Sequence, residues 1–330
     1  MYGYFLKGKF VKVIFMVPLF LRLLFIEAAV AKEAYPDRPI TVVVPWGAGG
    51  MTDAIARAIC KASEKELGQT IIVENKAGAS GVIGLNYVLK AKPDGYTLVI
   101  TTSSAYFMVP HSHGVPFNSL TDVNDIVPIC KFDLGFAVRS DARWKTYEDV
   151  VKYAKENPNK FTYSCAGVGV TQHICMERMA IKEGMKWTMV PFKSGAEAVA
   201  AILGGHTDGT AQGPLELLPY INSGKLKLLL SLNDSRWKGA PEAPSILEKG
   251  YNFYAWSFVS LLGPKGLPEP IKQKLEEAFT KAKKDPSFVD VMNQFKIEAS
   301  TMTGKQHAEF WRSRYAEMGN LIETLGLKGK

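Results

Sequence analysis

The stretch "TVVVPWGAGGMTDAIARAI", Thr41 to Ile59, decides how the rest of the chain is read. A run of branched apolar residues stops at Pro45-Trp46, crosses Gly47, Gly49 and Gly50, and resumes at helical spacing with Ile55, Ala58, Ile59 and Ala62. Strand, glycine turn and helix start together make an anion cradle. Glycines let the backbone approach closely, and the unpaired amides of a first helical turn point outward with the positive end of the helix dipole. The anion is either a phosphate or a carboxylate.

The same rhythm runs outward from this junction. Thr41 to Val44 reads as a strand, Met51 to Glu66 as a helix stopped by Gly68, Thr70 to Val73 as a strand, Gly81 to Leu89 as a helix closed by "KPDG", and Tyr96 to Thr101 as a third strand. After an irregular stretch it restarts. Tyr147 to Lys155 is a helix, Phe161 to Ser164 a strand, and Thr171 to Glu183 a helix. Strands at Thr188 to Val190, Thr210 to Gln212 and Leu226 to Ser231 follow, separated by helices at Ala196 to Leu203 and Pro214 to Ile221. Beyond Gly250 the chain returns to strand and loop, then to amphipathic helices at Glu269 to Lys283 and Gly304 to Leu325. Strands alternating with helices imply parallel pairing through right-handed crossovers. The expected fold is α/β and two-lobed, with a mainly parallel sheet flanked by helices in each lobe. At 330 residues the chain exceeds what one core usually organises. The expected division is 32–132 for the first part of lobe 1, 133–250 for lobe 2, and 251–330 returning to lobe 1 through a hinge.

Residues 1–31 read as a leader. Lys7, Lys9 and Lys12 form a basic start, Val13 to Ile26 an apolar run, and Ala29-Val30-Ala31 the small residues that a signal peptidase accepts, so cleavage is expected after Ala31. Arg22 interrupts the run and argues against a permanent span. The expected compartment is the periplasm. The formal charge of +8 includes +3 from this leader, leaving +5 spread over the mature chain without a basic stripe interleaved with aromatics. No nucleic-acid partner is expected. The four cysteines, Cys60, Cys130, Cys165 and Cys175, have irregular spacing. Cys60 reads as a buried thiol on a helix face, while Cys165 and Cys175 flank a second glycine turn, and a bridge between them is left open among the three full pairings that four cysteines allow. No His/Cys cluster has metal spacing, so no metal is expected.

The phosphate reading is a near miss. A dinucleotide fingerprint needs G-x-G-x-x-G directly after the strand. Here Gly47-Ala48-Gly49-Gly50-Met51-Thr52 lacks the last glycine, although Glu74 does close the second strand. No Gly-Lys-Ser/Thr follows for a P-loop. A carboxylate fits better: Gly49 and Gly50 present amides, Thr52 adds a hydroxyl, and Asp53 orders the loop from the first helical turn. Trp46 serves either as a lid over the ligand or as core. In the second turn, "CAGVGVTQH", Gly167 and Gly169 free the backbone, Thr171 offers a hydroxyl, and His173 is either a packing residue or a ligand contact.

"YPDRPITVVVPWGAGGMTDAIAR", "VENKAGASGVIGLNYVLKAKPDGYTL", "GVGVTQH", "VPFKSGAEAVAAILGGHTDG" and "INSGKLKLLL", in this order, resemble the substrate-binding receptors of tripartite tricarboxylate transporters, the TctC or Bug-type family. The resemblance spans the mature chain. It implies a Venus-flytrap receptor, monomeric and without cofactor or catalytic residues, that captures a small carboxylate between its lobes. The cargo would be a dicarboxylate, an acidic amino acid or an aromatic carboxylate, delivered to the large and small subunits of a membrane transporter. It places ligand contacts on Trp46 to Asp53 and Gly167 to His173, and adds Ser103, Ser104, Lys193, Ser194, Gly195 and Gln212. Trp46 departs from a frequent phenylalanine and Val170 from a small hydroxyl residue, which shifts polar work onto Thr171 or implies a less polar ligand. A sensor component for a signalling partner shares this fold, and an exported NAD-dependent oxidoreductase is the remaining alternative.

Overall fold

The computed structural model describes residues 35–329, so the expected leader at 1–31 lies outside the described residues. The chain from Arg38 onward forms one compact unit built on two sheets. The first half opens as β1 (Ile40–Val44), α1 (Met51–Leu67), β2 (Ile71–Asn75), α2 (Val82–Leu89) and β3 (Thr97–Thr102). A π-helical turn, Ser104–Met108, then runs into α3 (Val109–Ser112), followed by β4 (Val123–Phe132). The second half comprises β5 (Gly135–Arg139), α4 (Tyr147–Glu156), β6 (Thr162–Cys165), α5 (Thr171–Glu183), β7 (Thr188–Pro191), α6 (Gly195–Leu203), β8 (Gly209–Gln212), α7 (Pro214–Asn222) and β9 (Leu226–Ser231). The chain closes with β10 (Ser257–Pro264), α8 (Glu269–Ala282), α9 (Pro286–Gln294), β11 (Glu298–Ala299) and α10 (Gly304–Thr324).

The first sheet has the order β11-β4-β10-β3-β1-β2 and the second β7-β6-β8-β5-β9. The βαβ units pair in parallel as expected: β1 with β2 and β3, and β6 with β7 and β8. The expectation of mainly parallel sheets is corrected elsewhere, because both sheets are mixed. β10 runs antiparallel to β3 and β4, and β5 runs antiparallel to β8 and β9. The reason is connectivity. β4 passes directly into β5 through Asp133 and Leu134, and no helix intervenes to reverse the chain. β10 likewise arrives from the second sheet without a crossover helix. It lies between β3 and β4 and is buried along all eight residues, which is why "SFVSLLGP" carries no polar alternation.

Local signals set the helix ends. Gly68 ends α1 in the left-handed conformation at φ 68°, its amide returning to the Glu64 carbonyl. Thr146 and Asp149 form a capping box on α4, as do Thr303 and Gln306 on α10. Ala137, Val199, Ile202, Leu217, Leu228 and Trp237 form the core against the second sheet. Beside the first sheet, buried His307 hydrogen-bonds the Asp125 carboxylate at 2.9 Å through Nδ1 and accepts from Trp311 Nε1 at 2.7 Å. It thereby fastens α10 to β4. All four cysteines are buried free thiols, so Cys165 and Cys175 are not bridged.

Candidate functional site

The β1–α1 loop is held from beneath by Asp53. Its Oδ2 accepts from the Gly49 amide at 3.0 Å and from Arg57 Nε at 3.1 Å, while Oδ1 accepts from Asn75 Nδ2 at 2.9 Å. Asn75 also donates to the Trp46 carbonyl at 3.1 Å. Burial pushes the Asp53 carboxyl up, but its bonds to Arg57, Gly49 and Asn75 prevail and hold it below the ordinary aspartate range. Asp53 is therefore the loop's organiser, and the amide of Gly49, expected to face a ligand, is taken by it.

Above this scaffold lies a cavity of about 50 Å³ lined from both sheets. The first half contributes Trp46, Gly50, Met51, Thr52, Thr102 and Ser104; the second contributes Val170, Gln172, Ser194, Gly195, Gln212 and Glu216. By a measure in which one water needs about 10–15 Å³, the space suits a few waters or one carboxylate-sized group. Helix geometry leaves the amides of Thr52 and Asp53 without intrahelical acceptors at its α1 edge. A wider cavity of about 570 Å³, bordered by Arg178 of α5, Trp256 and Arg314 of α10, is larger but lacks such a cradle.

The two halves touch directly around the cavity. The Gly47 amide donates to the Lys193 carbonyl at 3.2 Å. Ser104 Oγ accepts from the Thr171 amide at 3.2 Å and shares a hydrogen bond with Thr171 Oγ1 at 3.0 Å. Of the residues expected at the site, Trp46, Gly50, Thr52, Ser104, Ser194, Gly195 and Gln212 share the cavity wall. Ser194 also caps α6, accepting from the Glu197 amide at 3.2 Å.

The others stand off that wall. Ser103 Oγ accepts from the Phe258 amide, and Lys193 is exposed on the rim. His173 Nδ1 accepts from the Gly169 amide at 3.0 Å, a loop-ordering bond. Gly167 and Gly169, at φ 113° and 73°, are required by close approach: a Cβ on either would meet Ser80 Oγ at 2.6 Å or Ser112 Oγ at 2.2 Å. The Thr171 hydroxyl is paired with Ser104 Oγ.

Sequence reasoning missed Glu216. Its Oε1 accepts from the Met51 amide at 2.8 Å, so a side chain from the second half occupies the first amide of α1. Its Oε2 is buried without a hydrogen-bond partner, as are Gln212 Nε2 and Trp46 Nε1. Burial pushes the Glu216 carboxyl up to about 7, opposed by the backbone amides of Met51, Glu216 and Gly213. In "QGPLEL" this residue reads as an ordinary acid in a first helical turn, so no signal marked it. Among the described residues no group of three or more His, Cys, Asp or Glu side chains is placed to hold a metal, and no helix is long and apolar enough to cross a membrane.

Two mixed sheets flanked by helices, joined by short crossings around a polar cavity, define a two-lobed protein of the periplasmic binding class. Residues 55–327 match the family model described as "Tripartite tricarboxylate transporter family receptor", and the chain belongs to that family. It is 35% identical over 295 residues to the "UPF0065 protein in gbd 5'region" of Cupriavidus necator, covering 89% of this chain and 90% of the relative. The solved periplasmic binding protein BugD superposes with a TM-score of 0.85 at 28% identity, over 90% of this chain and 100% of BugD. A structure described as a periplasmic transporter gives a TM-score of 0.84 at 29% identity, over 89% of this chain and 99% of its own.

Proposed function

We propose that this protein captures a small carboxylate between two lobes, 32–132 with 251–330 and 133–250, and delivers it to the large and small subunits of a membrane transporter. In this reading residues 1–31 direct export to the periplasm and are removed after Ala31. The protein performs no chemistry on its cargo, acts as a monomer and needs no cofactor. The β4–β5 and β9–β10 connections serve as the hinge, and closure is the signal that the transporter reads.

The observation that carries this reading is the cavity at the junction. It joins the amide end of α1 to two buried donors, Gln212 Nε2 and Trp46 Nε1, that have no acceptor among the described residues. A carboxylate oxygen supplies what such donors lack, and an aligned helix terminus favours negative charge. The narrowness of the space supports a cargo admitted by opening rather than by diffusion into a fixed pocket.

The test is a thermal-shift and calorimetric screen of residues 32–330, stripped of co-purified ligand by unfolding and refolding. The panel holds dicarboxylates, acidic amino acids, aromatic carboxylates and nicotinamide cofactors. A ligand that binds only the native state stabilises it by about 2.7 kcal/mol at a hundred times its Kd. One carboxylate class is expected to shift the protein, and Gly50→Val, which places a branched side chain at the cradle, is expected to abolish that shift while leaving the fold intact. A shift with cofactor alone, or wild-type affinity in the variant, overturns the assignment.

A further inference from the structure

Resting on the receptor reading, we propose that Glu216 is a specificity-determining residue: it makes the cavity select a cargo that carries an N–H donor, ammonium or amide, beside its carboxylate over one that offers carboxylates alone.

The cavity is polar in both senses. Gln212 Nε2 and Trp46 Nε1 are donors without acceptors, and they suit an incoming carboxylate. Glu216 Oε2 makes no hydrogen bond of its own, the nearby Gly213 and Glu216 amides easing but not removing the cost of its burial, in a residue only 8% exposed and on the same wall. A buried carboxyl oxygen left unpaired is costly, and a cargo N–H removes that cost. A cargo bearing only carboxylates is repelled where Glu216 is ionised and binds only with a proton held between the two carboxyls, a cost that grows as pH rises.

Among the described residues no cation does this work instead. Arg57 on α1 is committed to Asp53 and Asn75, and Lys193, before α6, is exposed. The acids on the packed elements are engaged elsewhere: Asp53 with its loop, Glu197 on α6 with the Lys193 amide, and Asp208 before β8 with Thr162. No charged side chain contributes to setting the ionisation of Glu216. Gly195 keeps the arrangement in place, because a Cβ there would stand 2.5 Å from Glu216 Oε1 and 2.9 Å from Gln212 Oε1.

The experiment uses matched cargo pairs that differ in one nitrogen: succinate against aspartate, succinate against succinamate, glutarate against glutamate, and benzoate against 2-aminobenzoate. Calorimetry on residues 32–330 is run at pH 6 and pH 8 with the wild type and Glu216→Gln. The variant keeps an oxygen for the Met51 amide and replaces the free acid oxygen with a donor. The wild type is expected to favour a nitrogen-bearing member by about tenfold or more. With aspartate and glutamate that preference grows at pH 8, and the 2-aminobenzoate nitrogen, a neutral amine at both pH values, reports an N–H donor without a charge. In Glu216→Gln it is lost or reversed, with unchanged circular dichroism. The ammonium and amide arms separate the two donor types.

Equal or tighter binding of the nitrogen-free members by the wild type, or a preference that Glu216→Gln leaves unchanged, overturns the inference while leaving the receptor reading standing. Binding by none of the pairs counts against both.

Discussion

The backbone amide of Met51 donates to Glu216 Oε1 at 2.8 Å, linking the first turn of α1 to α7 across the junction of the two sheets. A carboxylate thus sits on a helix N-terminus while being buried enough to resist ionisation, and these opposing influences leave its pKa at about 7 against an ordinary 4.5. Because the folded value is raised, the group costs nothing below about pH 4.5; the cost grows as pH rises toward about 7 and is constant above it. Ligand-free wild type is therefore expected to lose about 2–4 kcal/mol more than Glu216→Gln between pH 4.5 and 8 in urea unfolding. Parallel pH profiles for the two proteins would show that the carboxyl is not held up by the fold.

Asp53 is expected to matter for stability more than its partner. Asp53→Ala strips acceptors from Gly49, Arg57 and Asn75 together and is predicted to cost about 1–3 kcal/mol. Arg57→Ala, at a half-exposed side chain, is predicted to cost less than about 1 kcal/mol. Equal costs would mean that the ion pair, not the loop bonds, is what Asp53 supplies.

Ser104 and Thr171 form a hydroxyl pair that bridges the halves. Ser104→Ala and Thr171→Val are each expected to destabilise by about 1 kcal/mol, and the double variant by less than the sum, because the second change removes a bond already lost. Strict additivity would place the two hydroxyls in separate bonds.

Thiol chemistry gives a clear contrast. Burial pushes all four thiols up, Cys130 and Cys175 to about 12, so native protein should react with a thiol reagent at close to none of them. Four thiols should appear on unfolding without reductant, and reductant should leave the melting temperature unchanged. Two thiols on unfolding would mean that a disulfide forms.

The strand-turn-helix units were legible because each is a local object: Thr41 to Ile59 carries its own strand, glycine turn and helix face, and the structure differs from that reading by a residue at its ends. β4 was not, because "VNDIVPICKF" mixes polar residues with Pro128 in a buried strand. The ladder with β10 slips there, pairing Val259 with Cys130 and Ser260 with Pro128, so that Ile129 is the extra residue of a bulge. The cavity wall was partly legible. Trp46, Gly50 and Thr52 follow from the first turn and Gln212 from the family resemblance, whereas Glu216 acquires its character only from a helix start that lies 165 residues earlier in the chain. The glycines of the second turn were visible, but their cause, the approach of Ser80 and Ser112, is a tertiary contact.

The place of β10 has a consequence for the order in which the protein is assembled. The second sheet is complete once residue 231 has emerged, since all five of its strands lie between Gly135 and Ser231. The first sheet is not: β3 and β4 have no direct pairing and wait for β10 to fill the lane between them. A growing chain therefore reaches a finished second half while its first half still holds two open strand edges, the kind of surface that pairs with strangers. Chains cut short before Ser257 should aggregate through β3 and β4, and the early half of this protein is the one that depends on its own ending.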